Sequence, residues 1–330
     1  MTKRLHKVLG KLLGTAILAA AAATTPAAVA AYPDKPVKLV VPFPPGGNID
    51  ATARIVASGL SDALGQTVVV ENRAGAGGLV GSESVARAAP DGYTMLLAST
   101  GALATLKALN PEATLSPERD LVSAGPISRA PLVLVVSPKV PARSLAEFIA
   151  YARSQPGKLT FGTAGVGTAA HLTGEYFQKQ SGTKLLHVPY KGSSLAVADL
   201  LGGHVDLTFD QLASTLPQIR AGKLKALGVT TAQRTSVMPD LPTLAEGGLP
   251  GFEAATTTGL MFPKGTPPEV LTHINAALQK TLARASTAKQ LRELGADVQT
   301  GAAGDFDKTL RAETTKWEQV IRDAGVTAPR

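Results

Sequence analysis

PFPPGGNIDATAR, Pro42 to Arg54, sets three prolines and two glycines between an aliphatic run and a segment whose apolar residues recur at helical spacing. Upstream, VKLVVPF (Val37 to Phe43) is rich in β-branched residues and closed by proline, the pattern of a buried strand. Downstream, Ile49 to Leu64 carries the helical period. The stretch is therefore a strand-to-helix turn. Its prolines stiffen the chain, and Gly46 and Gly47 permit angles and close approaches that a β-carbon forbids. Asn48 or Gly47 falls near the helix cap, with Asp50 in the first turn, where the helix dipole favours a carboxylate. Unpaired N–H groups at such a turn receive an anion. The alternative is a tight turn in which Asp50 is only a local cap.

The strand-helix alternation continues along the chain. TVVVEN leads through a glycine-rich turn to VGSESVARA, and YTMLLAS leads into another turn of small residues. After Leu132 to Val136, SLAEFIAYAR reads as helix and LTFG as strand. LAVADLLGG, TLPQIRAG, PEVLTHINAALQKTLA and FDKTLRAETTKWEQVIRDAG read as helices; VDLTFD, LKALGVT and TTTGLMFP read as strands. This order predicts α/β layers with covered sheets. About 300 residues suit two modest cores rather than one. No low-complexity linker divides them, so the chain is expected to cross between cores twice, near Leu132 to Val136 and near Thr257 to Phe262.

The N-terminus has the form of an export signal. Lys3, Arg4, Lys7 and Lys11 precede the apolar LLGTAILAAAAA, and Ala28-Val29-Ala30 supplies small residues for cleavage before Ala31 or Tyr32. No cysteine follows, which excludes a lipid-anchored lipoprotein, disulfides and thiolate chemistry. Removing residues 1–30 takes four of the 33 basic residues and none of the 25 acidic ones, so the formal charge falls from +8 to +4. That excess is small and scattered, and no basic stripe is interleaved with aromatics, so a nucleic-acid partner is not expected.

Two further turns resemble the first in composition. FGTAGVGTAAHL (Phe161 to Leu172) matches G-x-G-x-x-A at Gly165, Gly167 and Ala170, the form of a dinucleotide turn. A ribose-binding acid should follow some twenty residues later, and LLHVPYKG offers none. A turn that uses backbone N–H groups and the Thr163 and Thr168 hydroxyls to bind a small polar ligand fits better. His171 is either a contact or a helix residue packed beneath the turn. PYKGSS (Pro189 to Ser194) offers Tyr190 as a pocket wall and Ser193 or Ser194 as a helix cap. Asp206 and Asp210 of VDLTFD divide into one structural and one functional carboxylate. ENRAGAGGLVG lacks the G-K-[ST] ending of a nucleotide phosphate loop and reads as a place of close approach between chain segments.

Catalytic and metal-ligating patterns are missing. The four histidines beyond the signal, His171, His187, His204 and His273, have no ligand spacing, and neither H-E-x-x-H nor G-x-S-x-G occurs.

In order along the chain, YPDKPVKLVVPFPPGGNIDATAR, ENRAGAGGLVGSESVARAAPDGYTMLLAS, the segment from FGTAGVGTAAHL through HVPYKGSSLAVADLLGGHVDLTFD, and GKLKALGVTTAQRTSVMPDLPTLAEGG resemble the periplasmic substrate-binding proteins of the tripartite tricarboxylate transporter group, the Bug or TctC family. The resemblance implies an α/β fold of the two-lobed periplasmic binding protein type (type II, Venus-flytrap) with two crossover strands. Residues 31–136 and 257–330 would form a discontinuous first lobe, and residues 137–256 the second. It implies an extracytoplasmic receptor for a small organic acid or amino acid, acting with a two-component membrane permease and without a cofactor. The ligand site would draw Phe43, Pro44, Pro45, Gly46, Gly47, Asn48 and Asp50 from the first turn. Thr163, Ala164, Gly165, Gly167, Thr168 and His171 would come from the second. Tyr190, Ser193 and Asp210 would vary with the solute. A solute sensor on the same fold and an exported hydrolase are the alternative functions.

Overall fold

The aliphatic run that precedes the first turn forms strand β1 (Val37–Val41), with Val37, Leu39, Val40 and Val41 all buried. The computed structural model describes residues 32–327, so the expected export signal lies outside the described residues. Helix α1 (Asn48–Leu64) follows and buries Thr52, Ala53, Val56, Ala57 and Leu60, the helical spacing of one apolar face. Then come β2 (Val68–Asn72), α2 (Leu79–Ala86), β3 (Thr94–Ser99) and three single-turn helices, α3 (Thr100–Leu103), α4 (Leu106–Leu109) and α5 (Pro117–Asp120). The long strand β4 (Leu121–Val136) leads to α6 (Leu145–Ser154), β5 (Thr160–Thr163), α7 (Ala169–Ser181), β6 (Leu186–Pro189) and α8 (Ser193–Gly202). After β7 (Leu207–Gln211), α9 (Leu212–Arg220) and β8 (Lys225–Val229), the chain returns through β9 (Ala255–Pro263). It closes with α10 (Pro268–Leu282), α11 (Ala285–Glu293), β10 (Asp297–Val298) and α12 (Asp305–Ala324).

Strand order is β2-β1-β3-β9-β4-β7-β5-β6, with β8 and β10 also paired to β4. The first sheet is parallel through β1, β2 and β3, then antiparallel at β9 and β4. In the second sheet β5 runs parallel to β6 and β7, while β4 is antiparallel to β7 and β8. Strand β4 belongs to both. Leu121 to Pro131 pair with β9, and Leu132 to Val136 pair with β7. Thr230, fully buried, ties the two crossing segments together: its N–H donates to the Leu132 carbonyl at 3.0 Å, its carbonyl accepts the Ala254 N–H at 2.8 Å, and its hydroxyl accepts from the Leu132 N–H at 3.0 Å.

Sequence reading placed only Leu132 to Val136 in this strand. Its first eleven residues carry Gly125, Pro126 and Pro131, which weaken a strand signature. Register shifts between Ser123 and Gly125 and between Pro126 and Ser128 accommodate them, and the Ser128 and Thr258 hydroxyls pair at 2.8 Å across the strands.

The main core runs beneath both sheets, with Phe148, Phe161, Phe177, Phe209, Phe252 and Phe306 fully buried. Each such ring contributes on the order of 1.5–3 kcal/mol of burial free energy. Helix α12 joins the two sides. Phe306 and Leu310 are buried near its start, whereas Trp317 meets Tyr176 of α7 edge-on at 6.2 Å and Asp323 pairs with Lys179 of the same helix. Among the described residues no helix is long and apolar enough to cross a membrane.

Candidate functional site

Asp50 organises the first turn from inside. Its buried carboxylate accepts the Gly46 N–H at 3.0 Å, the Arg54 guanidinium at 2.9 and 3.1 Å, and Asn72 Nδ2 at 2.9 Å. Asn72 Nδ2 also donates to the Phe43 carbonyl at 3.1 Å. The Arg54 hydrogen bond, helped by Gly46 and Asn72, holds the Asp50 carboxyl down at about 2, against the opposing cost of burial. Gly46, at φ 90°, adopts a backbone that only glycine takes readily. No side chain caps α1, so its leading N–H groups remain directed toward the end of the helix.

The second turn is held differently. The Thr168 hydroxyl donates to the Gly165 carbonyl at 2.7 Å and accepts the His171 N–H at 3.4 Å, capping α7. His171 Nδ1 accepts the Gly167 N–H at 3.0 Å, so in this arrangement that nitrogen carries no proton. Its ring stacks on His187 at 3.8 Å between centroids, and Phe161 lies 4.9 Å from His187. His187 Nε2 and the Thr163 hydroxyl are 2.7 Å apart. His171 is therefore packed under the turn as a backbone acceptor.

At the third turn, the Tyr190 hydroxyl donates to Asp199 at 2.7 Å. Burial first, and Asp199 second, push it up to about 12. Ser193 donates to the buried Asp210 carboxylate, whose other oxygen accepts the Gln211 N–H at 2.7 Å. Burial raises the Asp210 carboxyl above the usual range, with both donors opposing the shift. Asp206 instead accepts from the Thr160 backbone and hydroxyl at 2.8 and 2.9 Å, tying β5 to the start of β7.

A cavity of about 660 Å³ lies between the first and second turns, and no residue of the third turn lines it. Of the residues singled out in the sequence, Phe43, Gly167 and Thr168 line it. Asn48 stands at its edge and donates through Nδ2 to Gln211 Oε1, a bond that joins the first sheet's α1 to the second sheet's β7. Pro44, Pro45, Gly46 and Gly47 are exposed on the turn, and they, Asp50, Thr163, Ala164, Gly165, His171, Tyr190, Ser193 and Asp210 are not among the residues that line the cavity. Sequence reading missed Ser99, Thr105, Asn110, Gln211 and Thr256. The signal available for the first three was the turn after YTMLLAS, a third strand running into small residues. Gln211 and Thr256 reach the cavity only through topology. The lining contains no Asp, Glu, Lys, Arg or His, and no metal-binding cluster occurs among the described residues.

The histidine pair gives a pH signature. Burial, then the neighbouring His171, pushes His187 down from 6.5 to about 4. A folded pKa below the unfolded one means the associated stability is complete above about 6.5 and is lost as pH falls toward 4. Because His187 is only half-buried, the loss is expected to be on the order of 1–2 kcal/mol. Asp50 adds a separate decline once pH falls below 3.8 toward about 2. Thermal unfolding from pH 7 to 4.5 should show the first decline, and His187→Gln should flatten it. An equally steep decline in the variant would assign it elsewhere.

Residues 52–326 match the model of the TctC family, described as the tripartite tricarboxylate transporter family receptor. The chain is 38% identical to Protein BugT of Bordetella pertussis over 98% of both chains. Among solved structures, the periplasmic binding protein BugD is 37% identical with a TM-score of 0.75, and 90% of this chain covers all of it. Rpa4515 of R. palustris, solved with adipate, is 37% identical with a TM-score of 0.79 at the same coverage.

Proposed function

Because this chain belongs to the tripartite tricarboxylate transporter receptor family, we propose that it holds a carboxylate of its solute between the N-termini of α1 and α7. It is a periplasmic solute-binding protein of the two-lobed α/β type, a receptor and not an enzyme. It binds a small carboxylate-type solute outside the cytoplasm for a tripartite transporter, whose membrane permease components are the partners of such receptors.

The observation that carries the proposed site is the cavity shared by the two helix entrances, one from each sheet, with no charged side chain in its lining. Helix N-termini supply N–H donors and a positive potential without a formal cation. Closing the lobes around the anion removes it from bulk water, which strengthens those contacts. The solute favours the closed form to the extent that it binds that form more tightly than the open one. Residues 31–136 with 257–330 form one lobe in this reading and residues 137–256 the other; they bend about β4 and the return to β9, and the closed surface is what the permease distinguishes. Adipate in the R. palustris relative supports a carboxylate here.

Thermal shift of protein beginning at Tyr32, against mono-, di- and tricarboxylates and acidic amino acids, tests this. One class should stabilise saturably, by about 2.7 kcal/mol at 100 times its dissociation constant. No shift by any carboxylate in folded protein would overturn the site.

A further inference from the structure

Several polar side chains of the cavity lining are spent on nearby backbone. Thr105 donates to the Gly101 carbonyl at 3.3 Å, Asn110 Nδ2 to the Leu106 carbonyl at 3.3 Å and the Thr168 hydroxyl to the Gly165 carbonyl at 2.7 Å. The Ser99 and Thr256 hydroxyls, by contrast, have no hydrogen-bond partner among the described residues. Ser99 is the N-cap of α3, where a serine ordinarily turns its hydroxyl to an N–H two or three residues on, and it makes no such bond. Thr256 stands near the start of β9, two residues before Thr258, which pairs with Ser99 across the strands. Each of the two residues is only 4% exposed, and both line the cavity. Their hydroxyls flank Gly101. A β-carbon built on Gly101 lies 3.6 Å from Ser99 Oγ, 3.6 Å from Thr256 Oγ1 and 3.9 Å from Ala169 Cβ, the first residue of α7. Gly101 thus keeps a gap the size of a methyl group between two unpaired hydroxyls, beside a helix entrance.

We propose that Ser99 and Thr256 form an oxygen subsite, selecting a solute that carries a neutral hydroxyl or carbonyl oxygen on the first or second carbon behind its carboxylate. The inference rests on the carboxylate site proposed above and adds the substituent beside it. Nearly buried hydroxyls are costly to leave unpaired, and one solute oxygen seated between them satisfies both. Because Ala169 opens α7, that oxygen lies close to a carboxylate held at the same entrance. The substituent is neutral, since the lining has no cation to offset a second charge there and no carboxylate to hold an ammonium group. Serine and threonine hydroxyls donate or accept, so an alcohol and a carbonyl oxygen both fit.

Calorimetry on protein beginning at Tyr32 tests this by comparing parent acids with their oxygenated derivatives: butyrate with 2-hydroxy-, 2-oxo- and 3-hydroxybutyrate, and adipate with 2-hydroxy-, 2-oxo- and 3-hydroxyadipate. At least one derivative should bind about tenfold or more tightly than its parent, the gain expected from two neutral hydrogen bonds. Gly101→Ala should fold normally, because its methyl meets only ordinary contacts, yet the derivative-to-parent affinity ratio should fall to about one. Ser99→Ala combined with Thr256→Val should lower the ratio likewise, and a general loss of folded protein does not move it. Derivatives no tighter than their parents overturn the oxygen subsite and leave the carboxylate site standing. So does a ratio that survives both variants while parent and derivative weaken together, which assigns the hydroxyls to the carboxylate itself. Failure of every carboxylate to bind overturns both.

Discussion

Gly81→Ala is expected to destabilise the protein by about 1–3 kcal/mol, at the upper end of that range, despite adding a single methyl group to a helix. The new β-carbon would fall 2.6 Å from the Arg73 carbonyl oxygen and 2.7 Å from Pro42 Cα. Both obstacles are backbone atoms, so no side-chain rotation relieves them. Helix α2 must move off the end of β1, and Pro42 and Phe43 move with it. Since Phe43 lines the cavity, solute affinity should fall as well, by roughly tenfold for about 1.4 kcal/mol of lost contact. Urea unfolding measures the first effect and calorimetry the second. Gly47→Ala is the contrast, because no atom lies within 4 Å of its built β-carbon. Equal unfolding midpoints for the two variants would show that α2 has slack the close approach does not suggest.

Gly47→Val should do the opposite, sparing the fold and abolishing binding. Gly47 has ordinary extended angles, φ −85° and ψ 169°, and open space at its β-carbon. The residue caps α1 through its carbonyl, which accepts the Ala51 N–H at 2.9 Å and is unaffected by a side chain. Valine is a poor cap, so a cost of up to about 1 kcal/mol is expected in stability. At the proposed site, a branched side chain beside the leading N–H groups of α1 blocks the approach of an anion. Affinity for whichever carboxylate stabilises the wild type should fall by about 100-fold or more, equivalent to about 2.7 kcal/mol. Unchanged calorimetric affinity would remove the first turn from the site.

Much of this architecture could be read locally. β1 and α1 declare themselves by period and by the prolines between them, and α12 by an apolar face running from Phe306 to Ile321. The first half of β4 could not, since Gly125, Pro126 and Pro131 signal turn, and only pairing with β9 overrides that preference. The site divides the same way. Phe43, Gly167 and Thr168 sit in turns whose composition marks them. Thr256 and Gln211 are ordinary residues at strand ends, brought to the cavity by strand order. Asp50 shows a third case, for the sequence allowed both an anion site and a local cap. The structure directs its carboxylate into the turn, where Gly46, Arg54 and Asn72 already occupy it.

The position of β9 bears on how the protein is made. It lies between β3 and β4 in the first sheet, yet it is synthesised after every strand of the second. Until Ala255 to Pro263 have emerged, the nascent first sheet has an open slot between β3 and β4, with unpaired amides on both sides. The half of the molecule that begins first therefore finishes last. The first sheet is thus complete only when a strand from the far side of the second sheet in chain order is seated between β3 and β4, so the same strand that closes the slot also sets the path of the return crossing.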